Sequence, residues 1–484
     1  MVFSSNVFLL CFMPVFFLVY FLLPKKTRNH TLLLASLVFY AWGAPDFLVQ
    51  LLLSIIANYY LVKAMCRTDK PRRKKLLCTL SLLVSLGLLA YYKYANFLIE
   101  NLNTLLSWFQ KGQLSTFHFP LSTILLPIGI SFFSFQSVTY TLDTYRGVNR
   151  PMERLGDYML YITMFPKLIA GPIVRYNEVA DQIRQRESTL DDRLRGFYRF
   201  VIGLSKKILI ADVLGAQVDA VLKNPVAGLD TGTAWIVALA YTFQIYFDFA
   251  GYSDMAIGLG RIMGFRFPEN FDNPYTSRSV TEFWKRWHIT LGNFIMNYLY
   301  IPLGGNRKGK ARTYLNLWIC FLLSGLWHGA SWNFVLWGAF HGLFICLDKL
   351  FKVKGERLKV KGASHLSPFT SHLSTFLIVS ILWMFFRIED VGDAFTFVGR
   401  MFAFDFAPVT LQNEARFYFT LCLAFVFSFI TLFPFGKKLQ EKVYFAHYTD
   451  RQHVVVWIIA IFAFLFCIAA LNASRFSPFI YFRF

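Results

Sequence analysis

The sequence predicts an all-α, polytopic membrane protein, and three observations lead to this fold class. Of the 484 residues, 56% are hydrophobic and only 16% are charged, which is more apolar material than a single soluble core needs. The apolar residues form about a dozen runs, most of them near the ~20 residues that cross a bilayer. The net charge of +21 comes from short basic clusters between the runs, a pattern that orients membrane proteins and does not indicate nucleic-acid binding.

The apolar runs set the predicted number of spans and their orientation. They begin near residues 7, 31, 47, 76, 121, 200, 233, 313, 331, 373, 416 and 453, which gives about 11 to 12 transmembrane helices. Basic clusters follow the first run, at Lys25, Lys26 and Arg28, and the third run, between 63 and 75. The positive-inside rule places these loops in the cytoplasm and the N-terminus outside. The first run is therefore a retained span and not a cleaved signal.

Two further stretches do not fit simple spans. Residues 159–174 are short and are interrupted by Pro166, Gly171 and Pro172, so we predict a re-entrant or interfacial segment. The polar stretch 177–199 is predicted to form helix on the cytoplasmic side and not a separate domain.

His288 follows a predicted helix start. Ser279 and Glu282 have the spacing of a capping box, which places His288 between two and three turns into the helix and on one face with Trp284. An imidazole in an apolar setting needs a partner or a task, because an unpaired polar group there costs several kcal/mol. The same spacing also fits an interfacial helix with aromatic and basic anchors and one satisfied histidine, and spacing alone favours that interpretation.

The run IPLGGNRKGKAR at 301–312 combines three glycines with four basic residues. Such a turn can present backbone N–H groups and positive charge to an anion, such as the phosphates of a nucleotide-containing donor. It lacks the spacing of a P-loop or of a dinucleotide fingerprint. A basic loop that only orients the membrane protein explains the run nearly as well.

His328 is the main candidate for chemistry. It lies between two apolar runs, and glycine pairs Gly325/Gly329 and Gly338/Gly342 have the spacing that lets helices approach closely. Burial disfavours the charged form, so a neutral imidazole held there can accept a proton. His341 lies thirteen residues further on; if one helix carried both histidines, they would point to different sides, so we expect His341 to be structural or supporting.

The acids within the apolar runs are Asp248 and Asp254. On a helix Gln244, Asp248 and Tyr252 share one face, as a hydrogen-bonded ladder or as the lining of a polar cavity. An unpaired carboxylate at mid-membrane costs roughly 2.5 to 3.5 kcal/mol, so we expect Asp248 to have a partner. No metal site is predicted, because the histidines lack metal-ligand spacing.

Six motifs follow one another along the chain: FQSVTYTLDTYRG (135–147), MFPKLIAGPIVRY (164–176), YFDFAGYSDMAIGLGRIMGF (246–265), EFWKRWHITL (282–291), YLYIPLGGNRKG (298–309) and GLWHGASWNFVLWGAFHG (325–342). Together they resemble the motifs of the membrane-bound O-acyltransferases. Within that family the chain looks like the bacterial branch of the alginate O-acetyltransferase membrane subunit, to which the D-alanyl transfer protein of teichoic acid synthesis is related.

The resemblance implies roles for particular residues. The family's catalytic histidine corresponds to His328 and its functional partner to His288. Residues expected to support them are His341, Asn333, Trp327 and Asp248. The implied fold is a ring of tilted helices around a central tunnel, in one domain over 1–484 with N-terminal helices in 1–110, a core in 121–350 and C-terminal helices in 370–484. One departure is Met296 and Asn297, where the family usually has Arg and Asp.

The implied reaction is transfer of an acyl group, acetyl in the first place, from a cytoplasmic thioester to hydroxyls of an exported or cell-surface polysaccharide. His328 would take the hydroxyl proton, and His288 would orient the acceptor or stabilise the oxyanion. Arg307 and Lys308 would hold the phosphates of acetyl-CoA or another acyl thioester, and no permanently bound cofactor is expected.

The resemblance also implies a setting and leaves alternatives open. We expect a multi-pass protein of the bacterial inner membrane, in contact with lipid and with a periplasmic acyltransferase partner, but not with nucleic acid. The alternatives are a D-alanyl or other acyl transferase that uses an acyl carrier protein, and a non-catalytic conduit for an acyl group or glycan.

Overall fold

The computed structural model of the chain describes residues 1–109, 124–358, 368–407 and 414–473. Within those ranges the chain forms helices joined by loops, without a strand, and the all-α class is confirmed. Contacts divide the chain into two compact units. The first comprises Met1 and Val7–Glu187, and the second comprises Val2–Asn6 and Ser188–Phe484. The single domain stays a prediction.

The described residues of the first unit form eight α-helices, and the long helices among them follow the predicted apolar runs. A π-helical segment (Val7–Phe12) leads directly into the first of them. The start of the span predicted near residue 121 lies outside the described residues. The helices are α1 (Met13–Leu22), α2 (Arg28–Gly43), α3 (Leu48–Cys66), α4 (Pro71–Phe109), α5 (Ile130–Tyr145), α6 (Leu155–Thr163), α7 (Phe165–Leu168) and α8 (Tyr176–Arg184).

The predicted interruption in residues 159–174 is confirmed. Helix α6 ends before Met164, and α7 is a single turn with Pro166 near its start. Lys167 is fully buried, and its ammonium donates to the Gln136 side chain and to the Tyr161 carbonyl. The Gln136 amide in turn donates to the Lys167 carbonyl at 3.2 Å. These bonds satisfy the backbone where the helix is broken.

In the second unit, twelve α-helices lie within the ranges that the structure describes. Helix α9 continues through a π-helical segment (Lys206–Ala211) into α10, and the polar stretch 177–199 forms α8 and the first part of α9. The helices are α9 (Leu190–Ser205), α10 (Asp212–Val221), α11 (Thr231–Ile262), α12 (Val280–Arg286), α13 (Ile289–Ile295), α14 (Lys310–His328), α15 (Trp332–Leu358), α16 (Pro368–Arg387), α17 (Val391–Met401), α18 (Glu414–Phe429), α19 (Pro434–Tyr444) and α20 (Asp450–Ala473).

Ion pairs join the π-helical segment to α11. Lys207 lies 2.9 Å from Asp248 and 2.7 Å from Asp212, and Lys206 lies 2.7 Å from Asp254. Lys207 and Asp248 are both buried. Lys207 is therefore the partner that was expected for Asp248. Its opposite charge offsets the cost of burying the carboxylate.

Five helical stretches in the described ranges are long and apolar enough to cross a membrane. A shorter apolar stretch covers Val7–Leu22. The runs predicted near 200, 233, 313 and 331 are helical, as α9–α10, α11, α14 and α15, but they are not among the five. The count of 11 to 12 spans stays a prediction. The five stretches are Pro45–Cys66, Pro71–Ser107, Phe369–Arg387, Glu414–Leu432 and Asp450–Ala473.

Candidate active site

The helix expected to carry His288 ends before it. Ser279 accepts a hydrogen bond from the Glu282 N–H at 3.1 Å, so the predicted N-cap is confirmed. The Glu282 carboxylate instead accepts from the Arg278 N–H, so the return half of the capping box is formed one residue earlier than predicted.

The prediction that His288 lies on one helix face with Trp284 is wrong. Helix α12 ends at Arg286, and His288 has a left-handed backbone with φ of 45°. The segment around Asn270 makes the hydrogen bonds that would otherwise continue the helix. The Asp272 N–H donates to the Arg286 carbonyl, and the Ile289 N–H donates to the Asn270 carbonyl. This segment, Asn270 to Asp272, lies 16 to 18 residues before His288 in the sequence, so a local pattern does not reveal it.

The imidazole of His288 is buried and is held by an amide. Its Nδ1 lies 3.0 Å from Oδ1 of Asn270. The Phe249 ring of α11 packs edge-on against it at 4.7 Å between centroids, and the Trp327 ring lies at 5.9 Å. Asn270 is a functional candidate that sequence reasoning missed, although it lies in an Asn-rich stretch, PENFDNPY.

His328 is the last residue of α14 and is buried in an aromatic cluster. Its ring centroid lies 4.7 Å from Trp327, 5.1 Å from Trp337 and 5.1 Å from Phe386. Trp327 therefore contacts the rings of both His328 and His288. The structure brings together the two histidines that the sequence singled out, around one indole.

Glycines let α14 and α15 approach closely next to His328. A methyl group built on Gly338 would lie 2.3 Å from the Phe321 carbonyl oxygen, and one on Gly325 would lie 2.1 Å from that of Phe334. The close approach predicted from the glycine spacing is confirmed at this pair of residues. A methyl group built on Gly342 would lie 3.4 Å from Cβ of Phe321, an ordinary van der Waals distance, so the helices are less close at this residue.

We expect Gly338→Ala to destabilise the protein by about 1–3 kcal/mol, the usual cost of overpacking, and to reduce activity by moving α14. Gly342→Ala is the matched control and should change little. Thermal unfolding in detergent measures both. Equal melting temperatures for the two variants would contradict the close contact.

His341 lies on α15, so the two histidines do not share a helix. Its Nδ1 accepts a hydrogen bond from Trp284 Nε1 at 3.1 Å, and its ring lies 4.8 Å from Trp337. Trp337 thus lies in contact with both His328 and His341. Because Nδ1 is an acceptor, the proton of the neutral ring is on Nε2. A supporting role for His341 stays a prediction.

The other expected supporting residues lie in separate places. Trp327 contacts both histidines, as described above. Asn333, in the first turn of α15, is buried and donates to the Ile388 carbonyl after α16. Asp248 lies on α11, paired with Lys207.

The glycine-rich run forms a turn before α14. Gly304, Gly305 and Gly309 all have positive φ, and Asn316 donates to the Gly305 carbonyl at 2.9 Å. Arg307 and Lys308 are exposed on this turn. The departures from the family pattern lie just before it: Met296 opens a π-helical segment, and Asn297 donates to the Asn293 carbonyl at 2.8 Å.

A cavity of about 1470 Å³ lies in the second unit. Asn270 and Ile289, which flank His288, line it, but Arg307 and Lys308 do not. Its polar part includes Arg199, Lys206, Asp254, Glu269, Arg278 and Lys437, and its apolar part includes Leu209, Phe247, Leu423, Phe427, Ile459 and Ala463.

Four charged groups at the cavity wall are paired with one another, namely Arg199, Lys206, Asp254 and Glu269. Arg199 lies 2.6 Å from both Asp254 and Glu269, and its guanidinium stacks over the Tyr444 ring at 4.3 Å. Sequence reasoning missed these residues, because the pairs join segments that are 55 or more residues apart.

Comparison with known proteins identifies the family. The family model of the membrane-bound O-acyltransferases matches residues 76–353, beginning earlier than the predicted core. A probable alginate O-acetylase of Pseudomonas putida is 40% identical, with 100% of both chains covered. A peptidoglycan O-acetyltransferase of Helicobacter pylori is 35% identical over 81% of this chain and 78% of its own. A teichoic acid D-alanyltransferase of Streptococcus thermophilus is 29% identical over 54% of this chain and 67% of its own. The chain belongs to the membrane-bound O-acyltransferase family and is a membrane-embedded O-acyltransferase.

Proposed function

We propose that this enzyme transfers an acetyl group from a cytoplasmic thioester, acetyl-CoA, across the membrane for O-acetylation of an exported or cell-surface polysaccharide. The observation that carries the proposal is the packing of His328 and His288 around Trp327 in a buried site. Two imidazoles in a water-poor site suit removal of the hydroxyl proton by one ring and orientation of the hydroxyl by the other during attack on a carbonyl.

The reaction needs one proton acceptor and one position for the hydroxyl. The acceptor oxygen attacks the thioester carbonyl carbon while His328 takes the hydroxyl proton. The carbon–sulfur bond then breaks, the ester carbonyl re-forms, and the proton passes from His328 to the thiolate. His288 orients the acceptor, and the surrounding rings of Trp327, Trp337 and Phe386 keep water from competing with the hydroxyl.

Acetyl is the group that the comparisons favour. The relatives at 35 to 40% identity are named for O-acetyl transfer, whereas the D-alanyltransferase matches at 29% and over a shorter part of the chain. The competing proposal is an acyl carrier protein as donor. Such a carrier is often acidic and could dock on the basic cytoplasmic loops. The thiol released in the reaction distinguishes the two donors: free CoA indicates acetyl-CoA, and a free carrier-protein thiol indicates the carrier.

We further propose an inner-membrane location with the N-terminus on the outer face, from the basic loops of the N-terminal half. A polysaccharide on that face would receive the acetyl group, through a periplasmic acyltransferase partner. The cavity beside His288 is large enough to hold a donor or an acceptor, with charged groups in one part and apolar groups in another.

The exposed turn before α14 is proposed to hold the donor phosphates. Arg307→Gln and Lys308→Gln should each raise KM for acetyl-CoA roughly tenfold, which corresponds to about 1.4 kcal/mol. Arg312→Gln, a change at an exposed residue in the first turn of α14, is the matched control. If Arg278→Gln at the cavity raises KM and the two turn variants do not, the phosphates bind at the cavity instead.

The proposed function is tested in cells that lack the chain. Ester-linked acetate on the surface polysaccharide should disappear and should return with the wild-type chain but not with His328→Ala. Full acetylation without the chain, or with His328→Ala at normal protein levels, would contradict the proposal.

A further inference from the structure

We propose that Asn270 is a positioning residue, which fixes His288 in the tautomer with its proton on Nδ1 and so makes Nε2 a hydrogen-bond acceptor for the substrate hydroxyl. The inference rests on the proposed function for the identity of that hydroxyl. The tautomer itself follows from hydrogen bonds in the second unit and has a readout that does not depend on activity.

The orientation of the Asn270 amide is set by its neighbours. The backbone N–H of Thr290 can only donate, and it donates to one side-chain atom of Asn270 at 3.3 Å. That atom is therefore the oxygen. The hydroxyl of Thr290 also donates to it at 2.9 Å, and the amide nitrogen on the other side donates to Ser253 at 3.2 Å. A flipped amide would place two donors against each other at Thr290.

An oxygen at this position leaves one role for His288 Nδ1. The two atoms are 3.0 Å apart, and the amide oxygen has no proton, so Nδ1–H is the donor. In a neutral imidazole the other nitrogen then carries a lone pair. Nε2 of His288 is buried and has no hydrogen-bond partner in the part of the chain that the structure describes.

This tautomer selects between two possible roles of His288. An unprotonated Nε2 can accept a hydrogen bond from a hydroxyl, but it has no proton to donate to an oxyanion. His288 therefore orients the attacking hydroxyl through Nε2. The geometry also contrasts with that of His341, where Nδ1 accepts a hydrogen bond from Trp284 and the proton is on Nε2.

The backbone supports the same geometry. His288 has φ of 45°, a left-handed conformation that residues other than glycine rarely adopt and that persists only when surrounding contacts hold it. The Asn270 carbonyl accepts from the Ile289 N–H at 3.0 Å, immediately after the left-handed residue. Asn270 thus holds both the main chain and the ring of His288.

The surroundings of His288 in the described ranges are mostly neutral. It faces the Phe249 ring from α11, the Trp327 ring from α14 and the Asn270 amide. The carboxylate next in sequence to Asn270, Glu269, is paired with Arg199. The carboxylate introduced by Asn270→Asp would therefore be the charge with the largest effect on the protonation of His288.

The test combines solid-state nitrogen NMR of ¹⁵N-histidine-labelled protein in membranes with steady-state kinetics. The His288 signals are assigned by their loss in His288→Gln. We expect a neutral ring with Nδ1 protonated in the wild type. In Asn270→Leu, which removes the acceptor, we expect a shift towards the Nε2–H form and a fall in kcat of roughly 10- to 100-fold.

Two variants separate positioning from general structure. Asn270→Asp keeps an acceptor for Nδ1–H and should retain kcat within roughly tenfold of wild type. Its carboxylate favours the imidazolium, so the acid limb of the pH–rate profile should move to higher pH. Thr290→Val removes a different donor to Asn270, leaves the His288 contact in place and should keep both the pH profile and the tautomer.

The wild-type spectrum alone can overturn the inference. An Nε2-protonated His288 would contradict it even if Asn270→Leu fails to fold, as would unchanged spectra and kcat in a folded Asn270→Leu protein. Failure of the proposed function looks different. In that case His328→Ala retains transfer, while the His288 tautomer is still as predicted.

Discussion

Replacing His328 with alanine is expected to lower kcat for acetyl transfer by roughly 10²- to 10⁴-fold, the usual contribution of a general base. The donor should still bind, so KM for acetyl-CoA should stay within a few-fold of wild type. The loss is specific to the proton transfer, because the ring lies among Trp327, Trp337 and Phe386 and its removal leaves α14 and α15 in contact through Gly325 and Gly338. Initial rates of ester formation in washed membranes, normalised to protein, measure the effect.

His447→Ala is the control for this experiment, because His447 is exposed after α19. It should leave kcat unchanged. A His328→Ala protein with wild-type kcat would remove the general base from the mechanism. A loss of the same size in His447→Ala would show that the assay reports folding and not chemistry.

The largest stability effect is expected at the buried ion pair of α11. Lys207→Met removes the cation that lies 2.9 Å from Asp248, and breaking a buried pair from one side costs about 3–5 kcal/mol. The cost is high because the carboxylate of Asp248 is then left buried without its ion-pair partner. A large fall in melting temperature in detergent, or loss of the protein from membranes, is the expected result.

Removing the carboxylate of the pair should lower the stability less than removing the cation. Asp248→Asn leaves Lys207 with its second partner, Asp212, at 2.7 Å, so a charge pair survives. The double variant Lys207→Met/Asp248→Leu should recover part of the stability lost in Lys207→Met, since two apolar groups then replace two charges. Equal losses in the two single variants, or no recovery in the double variant, would contradict this account of the pair.

The sequence predicts those parts of the fold and of the site that depend on local patterns. The Ser279 cap, the close helix approach at Gly325 and Gly338 and the helix break at Met164 each follow from a pattern that spans one or two turns. The partner of Asp248 was expected because an unpaired carboxylate is costly in an apolar setting. Its identity, Lys207, depends on packing between helices and could not be predicted.

What the sequence does not predict is set by contacts between distant segments. The left-handed backbone of His288 breaks the helix pattern, and the segment at Asn270 that stabilises it lies 18 residues away. The cavity wall likewise joins Arg199 to Asp254 and Glu269 across three separate segments. Helical periodicity describes one helix at a time, so it cannot give the role of Asn270.

The most direct test of the central claim uses acetyl-CoA with a labelled acetyl group and washed inside-out membrane vesicles. We expect one free CoA thiol for each ester-linked acetate formed on a hydroxyl acceptor, with both products lost in His328→Ala. Binding of acetyl-CoA without cleavage of the thioester, or thiol release that is unchanged in His328→Ala, would contradict it.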